Sequence, residues 1–260
     1  VREEIDFVQQ EEPRLPAAEQ STGDGDAYST LRRAIVELYL QPGIILSIKD
    51  ICEHFEMGRS PVRDALIRLD QEGLVTLLPQ RGTMISKIDL SRVEQERFLR
   101  LSVEEEVMKL FMACHTPSDI VPLHEALRRQ RVLCEQKTPD MREFLTLDDA
   151  FHAIFYATTG KLLCLRTVQN ASGHYRRLRL LTCGSANGLE EIVEQHGALI
   201  TSFQTRDTDL MRRLFHVHLS KLDREERTLL KHYRGLFEQD TAQESAALPW
   251  TLDYLKTMQS

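Results

Sequence analysis

Aspartate and histidine residues in the second half of this 260-residue chain lie at spacings that suit metal ligation. Asp148 and His152 are four residues apart, so in a helix both side chains project from the same face. His196 lies in the middle of one apolar helical stripe, and His218 lies on another. One carboxylate and three imidazoles that meet at a single point form a suitable ligand set for a divalent transition metal.

The free-energy cost of burying a charged side chain distinguishes a metal site from an ordinary apolar core. A single histidine on an apolar stripe is more often a core residue with a hydrogen-bond partner, whereas a lone buried carboxylate is costly. We therefore expect Asp148, His152, His196 and His218 to bind a divalent metal, with zinc preferred over nickel, manganese or iron. His216 is expected on the opposite side of its helix, facing solvent.

Helices must position these side chains. From Leu90 onward, apolar periodicity predicts six helices that form an antiparallel bundle. Their expected extents are 91–114, 118–136, 140–158, 162–182, 188–204 and 207–236. Most breaks between them coincide with proline or glycine. The candidate metal ligands lie on the third, fifth and sixth of these helices.

The segment before the bundle has a different pattern. We expect a first helix over 28–40, a second after the N-cap Ser47, and a third with Ser60 as N-cap and Pro61 as its first residue. Two strands, at 74–78 and 83–88, flank a tight turn. Three helices and a hairpin form a winged helix-turn-helix. The predicted fold class is mainly α: a winged helix-turn-helix (αααββ) followed by an all-α antiparallel bundle of about six helices.

Polar and basic side chains cluster at the third helix and the predicted wing. Arg59 and Arg63 are four residues apart at the start of the third helix, the end that meets base edges in the major groove. Ser60 can donate a hydrogen bond to a phosphate, Arg81 lies in the wing turn, and Lys49 begins the second helix. Each residue alone could be an ordinary surface residue, but together they favour binding to double-stranded DNA.

The net charge of −7, from 33 Lys and Arg against 40 Asp and Glu, at first argues against a nucleic-acid partner. Residues 1–27, however, contain eight acidic residues and two arginines, so six of the seven excess negative charges lie there. This segment lacks apolar periodicity and is predicted to be a disordered acidic tail. Residues 28–90 are neutral overall and can still present a basic face.

The chain is therefore divided into four segments. These are a tail at 1–27, a winged domain at 28–88, a helical domain at 89–237, and a C-terminal tail at 238–260 with a possible short helix. No apolar run reaches the length of a membrane helix, no signal peptide is evident, and the five cysteines form no C-x-x-C pair. We expect a cytoplasmic protein without a membrane partner.

The winged segment resembles a known family. PGIILSIKDICEHFEMGRSPVRDALIRLDQEGLVTLLPQRGTMIS is similar to the winged-helix domain of GntR-type bacterial transcriptional regulators. In that family Ser or Thr usually stands where this chain has Gly58, which removes one possible phosphate contact and leaves the fold assignment unchanged. The resemblance implies DNA contacts by Lys49, Arg59, Ser60, Arg63, Arg81 and Gly82.

The helical segment resembles the FCD effector domain of the FadR subfamily. The matching elements are LDDAFHAIF, EQHGALI and FHVHL, which contain Asp148, His152, His196 and His218. The resemblance implies that these four residues ligate a metal in a pocket that binds a small organic acid. A bundle of about six helices is similar to the VanR-type branch of the subfamily.

The same resemblance suggests effector-binding residues. FLRLSVEEEV resembles the start of the family domain and contains Arg100 and Glu104, four residues apart. Arg100 could clamp a carboxylate effector bidentately, and the alternative is an ion pair within the helix. Tyr175, in the basic run HYRRLRLL, and Asn170 are further candidates, and most of that run is expected to be solvated.

These observations together predict a transcriptional regulator rather than an enzyme. A homodimer would bind a short palindromic operator, as a repressor, and a small carboxylate would modulate its affinity. One alternative is a metal-dependent hydrolase or lyase with a regulatory winged domain, in which Glu104 would be the general base. A second alternative keeps the repressor without the metal, so that the aspartate and histidines bind the effector directly.

Overall fold

The computed structural model describes residues 24–182, 186–220 and 229–238. A small antiparallel sheet and three helices form the first part, and the rest of the described chain is helical. The predicted fold class, a winged helix-turn-helix followed by an all-helical domain, is confirmed. Most of the predicted acidic tail and nearly all of the predicted C-terminal tail lie outside the described residues.

The winged domain contains three helices and three strands. In chain order they are α1 Asp24–Val36, β1 Ile45–Leu46, α2 Ile48–His54, α3 Arg59–Gln71, β2 Val75–Leu78 and β3 Gly82–Ile85. The strand order is β1-β3-β2, and both pairs are antiparallel. Its core is a separate cluster in which Leu31, Ile35, Val62 and Leu69 are almost completely buried.

Three details of this domain differ from the sequence-based predictions. Helix α1 begins at Asp24, so part of the predicted tail is helical, and Ala27 is buried. The N-cap of α3 is Gly58 rather than Ser60, which places Ser60 inside the first turn. The strand β1 was not predicted, because two residues carry no detectable alternation of polar and apolar side chains.

The helical domain contains seven helices in the described residues. They are α4 Leu90–Cys114, α5 Pro117–Cys134, α6 Met141–Thr158, α7 Leu162–Asn170, α8 Gly173–Thr182, α9 Ala186–Gln204 and α10 Thr208–Leu219. Residues 229–232 are also helical, and a 3₁₀ turn follows at Arg234–Leu236. The middle of the predicted last helix, 221–228, lies outside the described residues.

The predicted helix 162–182 is in fact two helices, α7 and α8. The hydroxyl of Ser172 donates to the carbonyl oxygen of Val168 at 2.5 Å, and α8 then begins at Gly173. A Cβ atom on Gly173 would lie 2.7 Å from a side-chain methyl group of Leu74 in the winged domain, so any larger residue there would make Leu74 shift. The described part of the domain thus holds seven helices and a further helical segment at 229–232, where the sequence predicted six helices.

The linker between the domains is held by the C-terminal end of the described chain. The Ile88 amide donates to the Leu236 carbonyl at 2.8 Å, and the Glu238 amide donates to the Ile88 carbonyl at 3.0 Å. Ile88 and Phe237 are both buried in the helical core. None of the helices in the described residues is long and apolar enough to cross a bilayer.

Candidate functional site

Four predicted metal ligands lie together in the centre of the helical domain. Asp148 and His152 are one turn apart on α6, His196 is on α9, and His218 is on α10. One potential ligand atom from each residue lies within 4.8 Å of those from the other three, and all four residues are buried. The structure therefore contains a buried aspartate–histidine cluster that could hold a metal ion.

Helix caps and aromatic packing hold this cluster in place. The carboxylate of Asp140 caps α6, and the carboxylate of Asp207 caps α10, which defines where each helix begins. The ring of Phe151 stacks on the imidazole of His196, with centroids 4.1 Å apart and planes 13° apart. Since Phe151 is itself completely buried, His196 has little freedom to rotate away from the cluster.

The Nδ1 atom of each of the three imidazoles lies beside a side-chain oxygen. The Nδ1 atom of His196 lies 2.8 Å from Oε1 of Gln130, and that of His218 lies 2.8 Å from Oε1 of Gln195. The Nδ1 atom of His152 lies against Oε1 of Glu104. The oxygen acceptors at Nδ1 of His196 and His218 select the tautomer that donates from Nδ1, so the Nε2 lone pair of each is available to a metal.

Unsatisfied atoms show that the cluster suits a metal ion. The Nε2 atoms of His152 and His196 and the Oδ1 atom of Asp148 are buried and have no hydrogen-bond partner among the described residues. Buried polar atoms without partners are costly. A divalent cation would satisfy all three at once, and nitrogen and oxygen donors are the types that zinc accepts.

The protonation states also suit metal binding. Burial alone would raise the pKa of Asp148, but the positive charge of Arg179 beside it holds that pKa well below its usual range. Burial lowers the pKa of His196 to about 3 and holds the pKa of His218 well below its usual range. An ionised carboxylate and neutral imidazoles are the forms that bind a metal.

Arg100 and Glu104 form an ion pair within α4, which was the alternative to an unpaired Arg100 that clamps a carboxylate effector. The Nε of Arg100 donates to Oε2 of Glu104 at 2.8 Å, and both side chains are buried. The other oxygen of Glu104 contacts the Nδ1 of His152, so both oxygens of this carboxylate face protein groups. Arg100 is 3.8 Å from Asp148 and still reaches the wall of a cavity.

That cavity, of about 400 Å³, lies between the two domains. Its walls come from α1 of the winged domain and from α4, α6, α7 and α8 of the helical domain, and His152 connects it to the metal cluster. Tyr175, a predicted effector-binding residue, is buried in the wall, with its ring near both Arg100 and Arg179. Asn170 also lines the cavity, and its carbonyl oxygen accepts from Arg32.

The expectation that most of the basic run on α8 is solvated is wrong. Arg177 and Arg179 are buried, and Arg176 is largely covered by Glu37 and Asp149. Arg179 pairs with Asp148 and lines the cavity, whereas Arg177 donates to the carbonyl oxygen of Ser86 at 2.6 Å.

One further prediction, for His216, is wrong, and two residues that line the cavity were not predicted. His216 is not simply solvated, since its Nε2 lies 2.9 Å from Glu105. Sequence reasoning missed Tyr156 and Arg33 as cavity residues, because neither shows a distinctive spacing.

The predicted DNA-contacting residues lie on α2, on α3 and around the turn between β2 and β3. Arg59, Ser60 and Arg63 are exposed on the first turns of α3, and Arg81 is exposed in the turn between β2 and β3. None of these three arginines pairs with an acidic side chain in the part of the chain that the structure describes. Lys49 is exposed and pairs with Glu53 at 3.6 Å.

Gly82 has a structural role in the wing. Its φ angle is +111°, and a Cβ atom there would lie 2.6 Å from the carbonyl oxygen of Leu46. Glycine is therefore needed for β1 to approach β3.

A winged helix-turn-helix joined to a helical domain with a buried ligand cluster defines a bacterial DNA-binding transcriptional regulator. Residues 25–85 match the model for bacterial regulatory proteins of the gntR family, and residues 97–221 match the FCD domain model. The chain belongs to the GntR family and carries an FCD domain. The members of this family that the chain resembles are transcriptional regulators rather than enzymes.

Curated relatives and solved structures agree with this assignment. The chain is 30% identical over 213 residues to the HTH-type transcriptional repressor RspR of Escherichia coli, covering 82% of this chain and 92% of the relative. It is 32% identical over 221 residues to a transcriptional regulator of Streptomyces ambofaciens, covering 85% and 92% respectively. The structure of E. coli McbR/YncC shares the fold, with a TM-score of 0.65, 17% identity and coverage of 83% of this chain and 99% of that chain.

Proposed function

We propose that this DNA-binding regulator is a cytoplasmic repressor whose operator affinity changes when a small organic acid binds beside a metal in the helical domain. A homodimer would place two α3 helices on the half-sites of a short palindrome. The observation that carries the proposal is the set of unsatisfied Nε2 and carboxylate atoms next to an arginine-lined cavity. The similarity to the repressor RspR supports the sign of regulation.

On DNA, α3 would enter the major groove. Arg59 and Arg63 are exposed at its start and have no acidic partner in the described chain, so both are available for guanine edges or phosphates. Ser60 and Lys49 would contact the backbone on either side of the groove. Arg81 and Gly82, in the wing, would contact phosphate or the minor groove.

In the helical domain, Asp148, His152, His196 and His218 would hold the metal, with zinc as the first candidate. When bound, the metal would supply a Lewis-acidic position for the carboxylate of an effector. Arg100 and the ring of Tyr175 would position the remainder of that acid from the cavity wall, and Asn170 would lie at its edge. Glu104 would contribute indirectly by orienting His152.

Helix α8 provides the route from this site to the winged domain. Tyr175 and Arg179 face the cavity. On its other side, His174 lies 3.2 Å from the Gly73 carbonyl and accepts from the Asp89 amide at 3.0 Å, while Arg177 donates to Ser86. An effector that binds two positions of α8 unequally would shift the winged domains and so change DNA affinity.

The alternative of a metal-dependent hydrolase or lyase is not supported by the geometry of its one candidate general base. Glu104 was the single candidate, and its two oxygens already face Arg100 and His152. These partners lower its pKa to about 2, although burial by itself would raise it, so it is a poor proton acceptor near neutral pH.

Elemental analysis and DNA titration together test the proposal. Purified wild-type protein should contain about one metal ion per chain. His196→Ala should contain none, and His124→Ala, at an exposed histidine on α5, should match the wild type. Wild-type protein that takes up no metal but still responds to organic acids would favour direct binding of the effector by the four residues. DNA binding that ignores sequence, or operator binding that no small acid changes, would overturn the proposal.

A further inference from the structure

The cavity between the domains is larger than a single carboxylate requires, and it is rich in positive charge. Its volume is about 400 Å³, and part of its wall is α1 of the winged domain. Five arginines line it: Arg32, Arg33, Arg100, Arg176 and Arg179. His152, on α6, and Arg33, on α1, both line this space, and His152 is also a member of the aspartate–histidine cluster. A ligand that fills it therefore contacts residues of both domains.

Arg33 differs from the other four arginines. Arg32 pairs with Glu72, Arg100 with Glu104, Arg176 with Glu37, and Arg179 with Asp148, as given by their ion-pair contacts. The guanidinium of Arg33 has no ion pair or hydrogen bond with any residue in the described ranges. It is exposed at the cavity and free to bind an anion.

A second polar group in the cavity also has no protein partner. Tyr156, on α6, is 1% exposed and lines the cavity, and its hydroxyl makes no hydrogen bond with the described residues. A buried hydroxyl of this kind is normally satisfied by a ligand or by water. Arg33 and Tyr156 thus mark the cavity as a site for a polar ligand rather than an apolar one.

The ion pairs of the wall indicate how many anionic groups the ligand carries. Four of the five arginines have a carboxylate partner, and Arg33 has none among the described residues. A metal at the cluster and the guanidinium of Arg33 would each bind one anionic group, so a ligand that uses both positions carries two.

On the basis of the proposed function, we infer that the effector is a dianion that spans both domains. One anionic group binds at the metal cluster, and the second binds Arg33 of α1. The ligand itself then joins the winged domain to the helical domain, in addition to the contacts made by α8. A monocarboxylate would occupy the metal end alone and leave Arg33 without a partner.

Calorimetric titration of the full, metal-loaded protein tests this inference. The probes are butyrate, succinate, glutarate and adipate at constant ionic strength, so that chain length and the second carboxylate vary separately. At least one diacid should bind about tenfold or more tightly than butyrate, the effect of one charge-assisted contact. Arg33→Gln should lose that preference, so that in this variant every diacid binds about as tightly as butyrate does. Arg213→Gln, at an exposed arginine on α10, is the matched control and should retain it.

Each outcome of the titration has a distinct meaning. Equal affinity for butyrate and every diacid in the wild type would overturn the inference and leave the proposed function intact. A diacid preference that persists in Arg33→Gln would overturn the role of Arg33. Absence of binding by all four acids would count against the organic-acid effector itself. Thermal melting of ligand-free Arg33→Gln should match the wild type, because the guanidinium has no partner to lose, and this shows that altered affinity is not a folding defect.

Discussion

The imidazole of His174, on α8, lies 3.2 Å from the carbonyl oxygen of Gly73, at the end of helix α3. Its other ring nitrogen accepts from the Asp89 amide, at the start of α4. One neutral side chain thus makes hydrogen bonds both to the end of α3 and to the linker residue Asp89. Because Asp89 occupies Nδ1 as a donor, Nε2 carries the proton and donates to Gly73.

Replacing His174 should therefore destabilise the domain contact. In His174→Gln the amide keeps one donor and one acceptor on a single carbon, so it cannot bond the Gly73 carbonyl while it accepts from the Asp89 amide and Arg177 on the far side of the former ring. The expected loss in the free energy of unfolding is about 1–2 kcal/mol at pH 7.5. Urea denaturation measures it, with His54→Gln, at an exposed histidine of α2, as the control. A variant as stable as the wild type would show that this contact contributes nothing.

The same histidine should make stability depend on pH. Burial, with help from Arg177 and Arg92, lowers the pKa of His174 to about 3. Because the unfolded chain then binds more protons than the folded one between about pH 6.5 and 3, stability is full above pH 6.5 and is lost as the pH falls. The decrease between pH 7 and pH 5 should be smaller in His174→Gln than in the wild type, as measured by denaturation at each pH. Parallel curves for the two proteins would contradict this assignment.

Glu96 should make the free energy of unfolding change with pH in the direction opposite to that of His174. Burial raises its pKa to about 7, although its carboxylate accepts from the Tyr175 amide at 2.7 Å. The folded state therefore binds more protons than the unfolded state between about pH 4.5 and 7, so stability falls as the pH rises through this range. Glu96→Gln should remove this loss and gain up to about 3 kcal/mol at pH 8 relative to the wild type.

The measurement is a pair of denaturation series at pH 5 and pH 8. Glu94→Gln, two residues earlier on α4, is the control and should behave as the wild type does at both pH values. A Glu96→Gln variant that is less stable than the wild type at pH 8 would show that the ionised carboxylate is favoured in the folded protein.

Gln130 should influence the affinity of the metal site without being a ligand. Its Oε1 accepts from Nδ1 of His196 at 2.8 Å and so presents Nε2 to the cluster. In Gln130→Leu the imidazole loses this orientation, and zinc affinity should fall by about 10- to 100-fold. Competition with a zinc-binding dye measures the affinity, and Gln136→Leu, at an exposed position after α5, is the control. Unchanged affinity would mean that Phe151 alone fixes the ring.

Arg63 should contribute to sequence-specific DNA binding. It is exposed on the second turn of α3 and has no acidic partner in the described chain. Arg63→Ala should weaken operator binding by about 1–3 kcal/mol and relax the preference at one base pair. Fluorescence anisotropy at fixed salt, with the wild-type operator and single-base variants, measures both effects. A loss that is equal on every sequence would instead assign Arg63 to a phosphate.

The helices and the metal cluster follow largely from local sequence patterns. The i,i+4 spacing of Asp148 and His152 and the apolar stripes around His196 and His218 place these residues on inward faces once a bundle is assumed. The capping box of Ser47 and Asp50 defines α2 in the same local way. Such features depend on residues within one or two turns, and the sequence contains them in full.

Tertiary structure alone decided the partners of these residues. Gly173, where α8 begins, packs against Leu74, about a hundred positions away. The pairing of His152 with Glu104, the burial of the arginines on α8, and the α1 wall that brings Arg33 to the cavity arise in the same way. A side chain's periodicity shows which face it occupies, but its partner is set by the packing of elements distant in sequence, which local patterns do not encode.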